Sequence, residues 1–125
     1  MELLKIEATN NTPEIELNAQ SAIFTIRGDS YPENSFSFYQ PVMTWIENFI
    51  ASQPASILIK LELIYFNSST SKILYDLFDL LNDAQEEGVE IKVNWYYDQK
   101  NYAAQESAEE FQEDYETLTF NLVAL

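Results

Sequence analysis

The amino-acid sequence predicts an α/β fold: a mixed sheet of about five to six strands, with an antiparallel meander at its amino-terminal end and about three helices packed on it. Three observations predict it. The residues before Arg27 fall into short strand-like runs separated by turn formers. From Ser35 onward, segments with apolar residues at helical spacing alternate with apolar strand-like runs. Strand–helix–strand connections within one sheet are right-handed crossovers, which make the joined strands parallel.

Each element has its own signature. Residues 3–8 alternate apolar with polar, as a half-exposed strand does. Asn10-Asn11-Thr12-Pro13 is a turn, residues 14–18 alternate again, and Ala22-Ile23-Phe24-Thr25-Ile26 reads as a third strand. Gly28-Asp29-Ser30-Tyr31-Pro32-Glu33-Asn34-Ser35 is dense in turn formers and predicts a loop. Val42, Trp45, Ile46, Phe49 and Ile50 form the apolar stripe of a first helix; Pro41 either opens it or interrupts a longer helix begun near Ser35. Gln53-Pro54 ends that helix, and residues 57–66 read as a buried strand. Ile73, Leu74, Leu77, Phe78, Leu80, Leu81 and Ala84 set the second helix, with Gly88 as its stop. A strand over 89–95, a helix over 102–113 with Tyr115 also facing inward, and a strand over 117–125 complete the chain. No repeat, linker or low-complexity tail interrupts residues 1–125, which read as one domain.

Composition narrows the function classes. With 21 acidic residues against 6 basic ones, the formal net charge of -15 repels phosphate backbones and anionic membrane surfaces. Nucleic-acid and membrane binding are therefore not expected, and a protein partner should present basic patches. No run is long enough to span a bilayer. The start, Met1-Glu2-Leu3-Leu4-Lys5-Ile6-Glu7, lacks the apolar core of a signal peptide, so a cytoplasmic protein is expected. Histidine and cysteine are absent, which removes the commonest general base, metal ligand and thiol nucleophile. Two glycines, Gly28 and Gly88, cannot make a glycine-rich phosphate loop. No cofactor or metal is expected, and an enzyme would have to work with carboxylates, hydroxyls and a few lysines.

The most informative stretch is Asn67-Ser68-Ser69-Thr70-Ser71, where an apolar strand hands over to a helix. Unpaired amides and the helix dipole at such a seam favour negative charge. The hydroxyls suit a reversible phosphate, and Asn67 or Ser68 equally suits a helix cap. Lys72, one turn further on, would be a counter-charge to a phosphate there.

An apolar strand, an Asn and then Ser68-Ser69 opening a helix is similar to the phosphorylation seam of STAS (SpoIIAA-like) anti-sigma-factor antagonists, which carry Asp-Ser-Ser there. The sequence more closely resembles the SiaC family of regulatory phosphoproteins, a STAS-like group. The octapeptide Gly28-Asp29-Ser30-Tyr31-Pro32-Glu33-Asn34-Ser35 looks like that family's signature loop. Tyr65-Phe66-Asn67-Ser68-Ser69 with Lys72, Trp95-Tyr96-Tyr97-Asp98, and Glu109-Glu110-Phe111 with Glu113-Asp114 match its other recurring pieces. The resemblance covers about residue 12 to the end.

It implies a STAS-like fold and a non-catalytic partner-switching regulator. A Ser/Thr kinase would phosphorylate it, a PP2C-type phosphatase would reverse this, and the unphosphorylated form would bind an effector. In some members that effector is a diguanylate cyclase controlling biofilm formation. The implied phosphoacceptor is Ser68, where the family pattern often has threonine, with Ser69, Thr70 and Ser71 as alternatives. The implied partner-binding positions are Asp29, Ser30, Tyr31, Glu33, Asn34, Asn67, Ser69, Lys72, Tyr97 and Asp98.

Other residues carry plainer readings. Asp29 and Glu33 could be a carboxylate pair for catalysis or a hard metal, but a turn-rich loop entering the first helix explains them as well. The acidic stretch Glu106, Glu109, Glu110, Glu113, Asp114 and Glu116 reads as a solvated helix face, or as a docking surface for a basic partner. Of Tyr96 and Tyr97, one should be core and the other could line an interface; Trp45 and Trp95 read as core.

Overall fold

Alternating burial along most strands sets the architecture of the computed structural model, which describes residues 3–125; Met1 and Glu2 lie outside the described residues. The elements run β1 (Leu4–Ile6), β2 (Glu14–Asn18), β3 (Ile23–Ser30), α1 (Ser35–Ala51), β4 (Ser56–Phe66), α2 (Ser68–Glu86), β5 (Glu90–Tyr97), α3 (Tyr102–Asp114) and β6 (Thr119–Ala124). The six strands lie side by side in chain order. β1–β2 and β2–β3 pair antiparallel, whereas β3–β4, β4–β5 and β5–β6 pair parallel. This is the mixed sheet with an amino-terminal meander that the sequence predicts.

Each crossover advances one strand in the same direction, so right-handed connections put all three helices on the same face. The core forms there. Ile15, Leu17, Phe24, Ile26, Ile59, Leu61, Val93 and Trp95 from the strands meet Val42, Ile46, Leu74, Phe78, Leu81 and Phe111 from the helices. Phe78 is its hub, with the rings of Phe111, Phe120 and Tyr115 at 5.0, 5.4 and 5.5 Å in edge-on geometry. The other face is open. Register places Lys5, Glu16, Thr25, Lys60, Asn94 and Asn121 in one cross-strand row on it. β4 is therefore buried on one face only: Ile57, Ile59, Leu61 and Leu63 point inward, while Lys60 and Glu62 point to the half-solvated side.

Two local expectations change, and of the two readings of Pro41 the longer helix holds. Gly28, Asp29 and Ser30, predicted as loop, belong to β3. Gly28 takes a φ of 118° and the register to β4 shifts between Gly28 and Ser30, so the turn formers make a bulge inside a strand rather than ending it. Pro41 lies inside α1, which starts at Ser35. Trp45 is only half-buried, stacked on Phe49 at 5.5 Å, whereas Trp95 is fully enclosed.

Candidate functional site

Because β3, β4, β5 and β6 run parallel, their carboxyl ends share one edge of the sheet, and α1, α2 and α3 begin there. An asparagine caps each helix: Asn34, Asn67 and Asn101 accept from the amides of Ser37 at 3.1 Å, Thr70 at 3.0 Å and Ala104 at 3.1 Å. Ligand- and partner-binding sites in α/β sheets favour this edge, since loops there can vary without disturbing the ladder.

The fold brings the β3–α1 and β4–α2 connections together. The Asn67 amide donates to the Ser30 carbonyl at 3.2 Å. Below it lies a closed chain of hydroxyls. Thr70 Oγ1 donates to the Ser30 carbonyl at 3.0 Å and pairs with Ser30 Oγ at 2.9 Å, and Ser30 Oγ pairs with Tyr39 Oη at 2.6 Å. With one proton per hydroxyl, the order that satisfies every member is Tyr39 to Ser30 Oγ to Thr70 Oγ1 to the Ser30 carbonyl. Ser30 and Thr70 have no exposed surface and Tyr39 almost none. Burial pushes the Tyr39 phenol up to about 12, only partly opposed by the Ser30 contact, so it stays a neutral donor. Ser30 therefore lies beneath the surface rather than on it, and the Thr70 hydroxyl is buried in the same chain.

The four hydroxyls of the seam are thus distinguished. Ser69 is exposed, but its Oγ donates to Asn67 Oδ1 at 2.9 Å and pairs with Ser35 Oγ at 2.7 Å. Thr70 is buried and Ser71 half-buried. Ser68 is exposed, and among the described residues its hydroxyl makes no hydrogen bond. Asn67 performs the capping, which leaves Ser68 without a structural task. The side chain of Lys72 stands in solvent one turn on, its Nζ 3.9 Å from Asp76 Oδ2.

Around the seam the surface is apolar. Tyr31 packs edge-on against Tyr65 with ring centroids 5.6 Å apart, and both rings are exposed. Phe36, in the first turn of α1, is 68% exposed, and Ile64 and Tyr102 stand out at the ends of β4 and the start of α3. The sequence reading did not single out Phe36, Ile64 or Tyr102. For Ile64 a signal existed: it falls on the same side of β4 as Lys60 and Glu62, so period-two alternation places it outside the core.

Asp29 is half-buried, and Glu33 and Asn34 are exposed on the connection above the seam. Tyr97 and Asp98 share the edge but line a separate concavity with Ile64, Lys100 and Asn101. Asp98 Oδ1 accepts from the Lys100 amide at 2.8 Å, and Asn101 Nδ2 donates to the Ile64 carbonyl at 2.9 Å, tying the β5–α3 loop to the end of β4. Tyr96 and Tyr97 are both half-buried; Tyr97 packs against the core, and Tyr96 Oη accepts from Asn94 on the open side. Glu106, Glu109, Glu110, Glu113, Asp114 and Glu116 are all exposed on α3 or just after it. Among the described residues no three carboxylates gather as a metal site would require, and no helix is long and apolar enough to cross a membrane.

The family model for SiaC family regulatory phosphoproteins matches residues 6–125. The chain belongs to the SiaC family. It is similar to an uncharacterised protein of Pseudomonas aeruginosa strain UCBPP-PA14, 39% identical over 111 residues, which covers 89% of this chain and 88% of that protein. Among solved structures it is similar to apo-SiaC from Pseudomonas aeruginosa, with a TM-score of 0.89 and 37% identity over 99% of this chain and 98% of that one. It is also similar to a chain in the crystal structure of the diguanylate cyclase SiaD in complex with its activator SiaC from Pseudomonas aeruginosa, with a TM-score of 0.93 and 37% identity over 98% and 99% of the two chains. The chain thus has the fold of SiaC and belongs to a family of regulatory phosphoproteins.

Proposed function

We propose that this chain is a non-catalytic, cytoplasmic partner-switching regulator whose switch is Ser68. A Ser/Thr kinase phosphorylates Ser68 and a PP2C-type phosphatase restores it. The unphosphorylated form binds a downstream effector, for which a diguanylate cyclase is the favoured class because a structurally similar SiaC is described as the activator of one. The observation that carries the reading is the state of the Ser68 hydroxyl: exposed, unengaged, and displayed on the first residue of α2.

The physics of that position suits a switch. A phosphate brings about 1.5 to 2 negative charges. At a helix amino terminus such charge is stabilised by about 0.3–1 kcal/mol, so modification leaves the fold intact. Its effect falls on what touches the seam. Tyr31, Tyr65 and Phe36 offer exposed apolar contact area around Ser68, and a dianion beside them would have to be desolvated by any partner covering that surface. Lys72, one turn along α2, already faces Asp76, so it neutralises little of the new charge.

The test compares the wild-type chain with Ser68→Asp by calorimetric titration against the cyclase, alongside circular dichroism. The proposal expects an unchanged spectrum and an affinity lowered at least about tenfold, the equivalent of 1.4 kcal/mol. Unchanged affinity for the Asp variant would remove Ser68 from the switch.

A further inference from the structure

A second surface lies between α1 and α2 on the helical side of the molecule. It is a groove of about 500 Å³, floored by Phe36 and Met43 from α1 and Ile73 and Leu80 from α2. Each pair is spaced at i, i+7, so two apolar rows run side by side for two turns. Above the floor stand Glu47 on α1 and Asp76, Asp79 and Asp83 on α2, all exposed; among the described residues no lysine or arginine lines the groove, and Asp76 is faced by Lys72 beside it. Asp79 accepts a hydrogen bond from Tyr115 Oη at 2.7 Å, which fixes one carboxylate of that rim in place.

We propose that this groove seats a basic amphipathic helix supplied by a partner protein. The lined stretch, Ile73 to Asp83 on α2 and Phe36 to Glu47 on α1, is about 15–17 Å long, or three turns of helix. That matches a helical ligand anchored by apolar residues at i, i+3 or i+4, and i+7, with Lys or Arg flanking them to meet the carboxylates. Charge selects the occupant. α1 and α3 contain no basic residue and α2 has only Lys72, so no helix of a second copy of this chain has the required face. Four of the six cations, Lys5, Arg27, Lys60 and Lys92, stand instead on the open face of the sheet, interleaved with Glu14, Glu16, Glu62 and Glu90.

The groove is also electrically distinct from the seam. Asp76, Asp79 and Asp83 lie about 12, 16 and 22 Å along α2 from Ser68, beyond the screening length of about 8 Å at physiological salt. Docking of a basic helix at Asp79 and Asp83 is thereby separated from the charge state of Ser68, although Phe36 and the Lys72–Asp76 pair belong to the surface of both.

The probe is a synthetic peptide of about eighteen residues with Leu at i, i+3, i+4 and i+7 and Lys elsewhere, beside its counterpart with Glu for Lys; binding is read by fluorescence anisotropy. The Lys peptide should bind, weaken as salt rises, and lose about five- to tenfold in affinity with the double variant Asp76→Asn/Asp83→Asn, since each exposed ion pair contributes modestly. Met43→Gln should weaken it as well, and Glu109→Gln/Glu113→Gln on α3 should not. Equal binding of both peptides, equal losses from the α3 variant, or indifference to the groove variants would overturn the proposal. So would sedimentation showing self-association that the groove variants abolish. The measurement uses unmodified protein, so its failure leaves the Ser68 assignment standing, and failure of that assignment leaves the groove standing.

Discussion

Removing the Ser30 hydroxyl should cost far more than a serine-to-alanine change on the surface. Ser30 Oγ accepts from Tyr39 at 2.6 Å and pairs with Thr70 at 2.9 Å in a site with no exposed surface. In Ser30→Ala, Thr70 keeps the Ser30 carbonyl, but the Tyr39 phenol is left buried without an acceptor. An orphaned polar group costs about 1–3 kcal/mol and the lost neutral hydrogen bond about 1 more, so a loss of about 2–4 kcal/mol is expected. For a chain of this size that lowers Tm by about 6–16 °C. Tyr39→Phe should cost only about 1 kcal/mol, because Ser30 retains Thr70. The double variant removes donor and acceptor together, so it should be at least about 1 kcal/mol more stable than the sum of the singles implies. Urea unfolding followed by tryptophan fluorescence, compared at constant m-value, measures all three. Additivity within about 0.5 kcal/mol, or a Ser30→Ala cost below that, would refute the closed hydroxyl chain.

Alkaline pH should unfold the protein through its buried phenols. Burial raises the Tyr39 phenol from 10.0 to about 12. Tyr115 is raised too, by burial first and then by its hydrogen bond to Asp79. A folded-state pKa above the unfolded one means the stabilisation is whole below pH 10 and lost as pH rises toward 12, because the unfolded chain releases its protons first. Stability measured across that range should fall, and Tyr39→Phe should fall less steeply. In α1, Pro41 is exposed within the helix and cannot donate to the turn before it. Pro41→Ala should therefore stabilise the protein, by about 1–3 kcal/mol, read as a higher urea midpoint.

The fold was legible where one periodicity ran unbroken. Ile57, Ile59, Leu61 and Leu63 against Lys60 and Glu62 mark β4, and the apolar stripe from Ile73 to Ala84 marks α2, because each pattern serves one buried face. Gly28-Asp29-Ser30 was misread because local turn preference cannot register a neighbouring strand; pairing with β4 holds these residues in the sheet as a bulge. The site was half legible. Turn formers and hydroxyls marked the two connections that meet, but Ser30 and Thr70 are distant in sequence and their mutual burial exists only once β3 and α2 pack. The ambiguity between cap and acceptor was likewise one of geometry: Asn67 supplies the capping oxygen, which frees the Ser68 hydroxyl. The α1–α2 groove was hidden because its floor is drawn from residues on two helices, each of which reads as ordinary amphipathic surface.

On the proposed function, Ser68 alone among the hydroxyls of the seam takes the phosphate. The most direct test is to incubate wild-type, Ser68→Ala and Ser69→Ala proteins with the cognate kinase and ATP, then map phosphopeptides by mass spectrometry. One phosphate on Ser68 is expected in the wild type, none in Ser68→Ala, and wild-type modification in Ser69→Ala. A phosphate on Ser69 or elsewhere, or a Ser68→Ala protein modified as well as the wild type, would contradict that assignment.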